Sequence, residues 1–145
     1  MKRKQDLHIT HPGKYLLTLS FIALTIKLLL QLGSTIPSLS IIAFGFRPII
    51  IGYLHLVLLG IITLFLLGYI FSNDLLPINK PVKTGALLFS TGVVLNECLL
   101  MIQGITAMGY ISIPYIQESL LLFALIMITG LIILNFSSQS SNNSA

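Results

Sequence analysis

PIIIGYLHLVLLGIITLFLLGYIF, Pro48 to Phe71, is an apolar run with no formal charge and a single histidine, His55, near its start. As a helix rising about 1.5 Å per residue it reaches roughly 36 Å, enough to cross a hydrocarbon core of about 30 Å. It reads as a membrane span, opening on a proline that a first helical turn tolerates. Composition extends this to the whole chain: 55% of the 145 residues are hydrophobic and 8% are charged, with a mean hydropathy of +0.98. That leaves too little polar surface to cover a soluble globule, so the lipid bilayer is part of the fold. The net charge of +4 comes from basic residues that mostly flank apolar segments. Their placement speaks for topology and against a nucleic-acid partner. A lone cysteine, Cys98, forms no intrachain disulfide and says nothing of redox compartment.

Working outward, residues 1–14 form a basic flank, and Tyr15 to Leu32 a first span about 27 Å long. That run carries Lys27 and Gln31 and ends without a small-x-small cleavage site, so it is expected to stay as a span and not to be cleaved as a signal peptide. Gly33 to Arg47 contains a nine-residue apolar piece, Ser38 to Phe46, too short to cross. It is expected to lie at the interface or dip back into it. After Pro48–Phe71, the polar stretch Ser72–Lys83 reads as a solvated turn. Thr84–Met108 is the third span, and Ser119–Phe136 the fourth after a short bridge containing Pro114. The short bridge predicts that spans three and four are antiparallel neighbours. Residues 137–145, SSQSSNNSA, are polar and low in complexity and are expected to be disordered. The fold class is all-α, a four-helix transmembrane bundle. Lys2, Arg3, Lys4, Lys14, Lys80 and Lys83 fall on one side and only Arg47 on the other. The positive-inside rule puts both termini in the cytoplasm.

Polar residues inside the spans are the candidate site. In span three Gly85, Gly92, Asn96 and Gln103 fall within about 20° of one line, a stripe suited to packing against a neighbouring helix or to lining a ligand. In span two Gly52, Gly60 and Gly68 recur every eight residues, each step turning by about 80°, so they make no single stripe. Glu97 lies close to mid-membrane, where a carboxylate costs on the order of 3 kcal/mol. It must be neutral or paired. If neutral, it is a proton-relay station or a packing group; if charged, its partner is Lys27 or a protonated His55. Lys27 has an alternative, its long stem snorkelling to the outer interface a turn or two away, and Gln31 is a further polar residue near that end of the span. Cys98 reads as a small packing residue.

His55 has three readings: a packing hydrogen bond to Asn96 or Gln103, a relay element, or an axial ligand to haem or copper. This chain has no second intramembrane histidine, so complete haem ligation needs another subunit or a Met such as Met101. His8 and His11 form an H-x-x-H next to Pro12 and are expected to be a solvated flank with no helix, lacking a third ligand.

The segment FGFRPIIIGYLHLVLLGIITLFLLGY, with Arg-Pro followed by Tyr-x-His-Leu, resembles a span of uncharacterised bacterial polytopic membrane proteins distantly similar to subunit I of haem–copper oxidases and nitric-oxide reductases. The resemblance covers spans one to three. It implies an all-helical bundle in the bacterial inner membrane, with a metal or haem held by histidines in the outer half, and only His55 matches that pattern. Members of that family have many more spans and several histidines, where this chain has four spans and one intramembrane histidine.

No phosphate-cradling glycine loop, nucleophile elbow, C-x-x-C pair or H-E-x-x-H occurs, so no autonomous enzyme is expected. One class of function is a haem- or metal-binding or proton-relay subunit of a redox membrane complex, with His55, Glu97, Asn96 and Gln103 completed by other membrane subunits or self-association. A second is a structural or assembly protein whose polar groups only fix packing, and a third is a small transporter component.

Overall fold

A computed structural model of the chain describes residues 11–73 and 79–142. Among these residues every regular element is helical, and four helices are long and apolar enough to cross a membrane. The protein is all-α and multi-pass. The spans are α1, His11–Gly33; α3, Arg47–Ser72; α4, Lys80–Met108; and α5, Ile116–Asn142. A short helix, α2, Pro37–Gly45, precedes α3.

Several boundaries differ from the sequence reading, each for a local reason. Pro12 does not break the helix, because His11 and Pro12 are both already helical at the beginning of the described part of α1. The piece after Gly33 is a helix, with Pro37 at its first turn and an extended Phe46 ending it. The last helix runs past Phe136 to Asn142, into the stretch expected to be disordered, because that serine-rich stretch contains no Gly or Pro to stop it. The flank at 1–10, the turn residues 74–78 and the end of the tail at 143–145 lie outside the described residues.

In its most apolar stretch α4 is half buried, against 17% for the corresponding stretches of α1 and α3 and 11% for that of α5, so α4 is the centre of the bundle. Helix α5 packs chiefly on α4, and α1 chiefly on α3. The first pair is held by glycine. A Cβ on Gly130 would sit 2.7 Å from the Phe89 nitrogen, and one on Gly85 3.0 Å from the Gly130 carbonyl oxygen, so the two backbones touch where any larger residue would part them. The core at the end carrying both termini draws on all four spans: Leu16, Leu64, Phe71, Val82, Ala86, Phe89, Val93 and Leu134.

Helix α3 is not uniform. Arg47–His55 and Leu64–Ser72 are α-helical, but Leu56–Thr63 is a π-type stretch. The Leu64 N–H reaches back to the Leu59 carbonyl, and the Thr63 hydroxyl donates to the Leu58 carbonyl at 2.8 Å. From α1, the Ser20 hydroxyl donates to the Ile61 carbonyl at 2.9 Å. The widened turn thus lies where α1 meets α3, and it begins immediately after His55.

Candidate functional site

Val93, Glu97, Leu100 and Gly104 follow one another at four- and three-residue steps and form one face of α4. Two of them show what that face meets. A Cβ on Gly52 would lie 3.6 Å from Leu100 Cβ, and one on Gly104 3.3 Å from Ile49 Cγ1, so the face is applied to the first turns of α3 in antiparallel register. One turn further along that register, Glu97 comes level with His55 and Leu56, at the start of the π stretch. Glu97 is 8% exposed, and its Oε1 is buried without a hydrogen-bond partner among the described residues. An unpaired carboxyl oxygen so placed is the feature least accounted for by packing alone.

The other polar residues of the spans do not converge on it. Lys27 Nζ donates to Gln31 Oε1 at 2.6 Å, an i,i+4 pair on α1 that keeps the ammonium at its own helix surface. His55 Nδ1 lies 3.0 Å from the Ile51 carbonyl. Because a carbonyl only accepts, Nδ1 is the donor in this contact. No hydrogen bond joins His55 to Asn96 or Gln103, and no ion pair joins Lys27 to Glu97, among the described residues. Asn96, 5% exposed, continues the Gly85 and Gly92 stripe, whose two glycines face Leu134 and Met127 of α5, while Gln103 is half-buried. The stripe is therefore largely a helix-packing face, next to the face that carries Glu97. Cys98 is exposed and does not pack in the bundle, because one residue beyond Glu97 the helix has turned about 100° away from the interface.

The donor set bears on the haem and copper reading. His55 offers one nitrogen, its Nδ1–H already oriented by a carbonyl as ligating histidines often are. Among the described residues, however, no three of His, Cys, Asp or Glu come together, and Met101 is substantially exposed on α4. One imidazole does not make a haem or copper site, so the described residues do not fit that group. His11 is an exposed helical residue at the beginning of the described part of α1, and His8 lies outside the described residues.

No family model, curated protein or solved structure matches this chain.

Two contributors to the arrangement escape a reading of the sequence. Gly130 stands alone in MITGLII and shows its role only once Phe89 is seen against it. Ser20 looks like any small span residue, and only a partner helix reveals the carbonyl that it binds.

Proposed function

We propose that the chain is a membrane-embedded subunit that holds and exchanges a proton at Glu97, as part of an assembly completed by other membrane helices. The observation that carries this reading is the buried, partnerless Oε1 of Glu97 beside the π stretch of α3. A protonated carboxyl removes the cost of a charge at that depth and leaves one donor and one acceptor for a relay partner. Interrupted α-helical hydrogen bonding next to it agrees with the frequent placement of π-type turns at functional sites. Further helices would supply the relay partner that Glu97 Oε1 lacks among the described residues. The orientation that accompanies this reading has both termini on the cytoplasmic side, in a bacterial inner membrane.

The test is infrared difference spectroscopy of the protein in lipid across a pH step, in H2O and D2O. The expected result is a deuterium-sensitive carbonyl band of a protonated carboxylic acid, lost in Glu97→Gln. Only a carboxylate signal, unchanged across the step, would overturn the proposal.

A second reading, that the chain is a structural or assembly protein, is favoured by the local closure of the Lys27 and His55 hydrogen bonds and by the glycine contact between α4 and α5. It predicts that Glu97→Gln changes neither proton exchange nor the assembly's activity.

A further inference from the structure

At the end of the bundle where α1 and α4 begin, a groove of about 220 Å³ runs between them, lined by Pro12, Tyr15 and Leu16 of α1 and by Lys83, Ala86, Leu87 and Ser90 of α4. Small-molecule pockets usually span roughly 300–1,000 Å³, so this one suits a narrow apolar segment better than a ring system. Its walls are mainly hydrocarbon, and its cationic group is Lys83. Lys80 lies one turn earlier on the same side of α4, and both lysines are exposed. Lys14 is exposed at the same end of α1. The described carboxylates, Glu97 and Glu118, lie in mid-span and at the start of α5, so neither neutralises this cluster.

We propose that this groove binds one acyl chain of an anionic phospholipid from the leaflet at the termini end, with the headgroup phosphate held by Lys83 and Lys80. A zwitterionic lipid such as phosphatidylcholine would gain the same apolar contact, but its own ammonium group offsets the phosphate charge; a free phosphate would gain the attraction without the chain. Basic pockets between spans are a known physical solution for holding acidic lipids. The proposal is independent of Glu97, which lies on another part of α4.

The chain contains no tryptophan, so Tyr15→Trp introduces a single fluorescent reporter in the groove wall. Phe136→Trp, at an exposed position of α5 at the same end, is the reference for bulk lipid. Each variant is reconstituted in phosphatidylcholine vesicles containing either brominated phosphatidylglycerol or brominated phosphatidylcholine at equal mole fraction. The expected result at Tyr15→Trp is about a fivefold preference for the anionic quencher, the scale of one lysine near an acidic membrane surface. That preference should fall to the reference level when Lys80→Gln and Lys83→Gln are added, with helicity by circular dichroism showing that the fold is kept. Equal quenching by the two lipids at Tyr15→Trp would overturn the proposal. So would an equal anionic preference at Phe136→Trp, since that would be the surface potential alone, or a preference that survives loss of both lysines.

Discussion

The two ends of the bundle are built differently. At the termini end all four spans contribute to one apolar core, with Leu16, Leu64, Phe71, Val82 and Val93 almost wholly enclosed. From mid-span toward the opposite end the buried side chains include Asn96 and Glu97, and α1 packs on α3 mainly from the π stretch onward and much less on its first turns. Lipid tails are as apolar as leucine, so in a membrane the first end gains from close packing of shapes and the second from whatever polar partners it finds. The difference teaches that one half of this molecule holds the helices together while the other keeps a polar group in reserve, as expected if function is drawn from the less tightly packed part of a fold.

The strongest way to break this contrast is Gly130→Leu. It forces side-chain atoms into the Phe89 backbone and should cost about 3 kcal/mol or more by overpacking, separating α5 from α4. Detergent-titrated unfolding followed by circular dichroism would measure it, and a wild-type midpoint would show that the glycine contact is not what joins the pair. Phe71→Ala comes next, removing a fully enclosed ring from the core. Lost packing should cost about 2 kcal/mol, below the usual range for soluble cores because the exposed ring would rest in lipid instead of water. The same titration checks it.

At the other end the expected stability effects shrink. Glu97→Gln keeps size and polarity and should alter stability by no more than about 1 kcal/mol, while abolishing the protonated-carboxyl infrared band. A loss as large as that of Phe71→Ala would mean that Glu97 is a structural keystone. His55→Leu removes only a hydrogen bond within its own helix and should cost roughly 0.5–1 kcal/mol. A reduced-minus-oxidised absorption spectrum of the same purified samples should be flat for both wild type and variant. A haem or copper band that disappears with His55→Leu would show that a partner supplies the missing ligands, and would restore the cofactor reading.

How much of this was legible beforehand depends on the scale at which each feature is decided. Span number, all-helical class and the pairing of spans three and four follow from hydrophobic runs and one short bridge, because covering the backbone in lipid leaves a long apolar segment little choice but a helix. The split duty of Gly52, Gly60 and Gly68 was also readable from their angular steps, and the structure finds Gly52 against α4 but Gly60 and Gly68 against α1. The continuation of α5 through Ser137 to Asn142 was missed because polar composition suggests no burial, yet an established helix needs no burial to extend by a turn. Neither the Ile51 carbonyl as the partner of His55 nor Gln31 as that of Lys27 was among the readings of the sequence, because a single sequence does not choose between an intrahelical and an interhelical partner.

The sequence by itself determined that this is a multi-pass membrane protein and how many helices are long and apolar enough to cross, since those depend on residue count and hydropathy along one chain. Only the tertiary structure decided that α4 is the central helix, that Gly130 meets Phe89, that α3 widens after His55, and that Glu97 faces α3 with one oxygen unpartnered. Those depend on how helix faces rotate and slide against one another. Packing between spans is set by short-range contact, and almost any apolar face is equally at ease in lipid until a neighbour is present to discriminate.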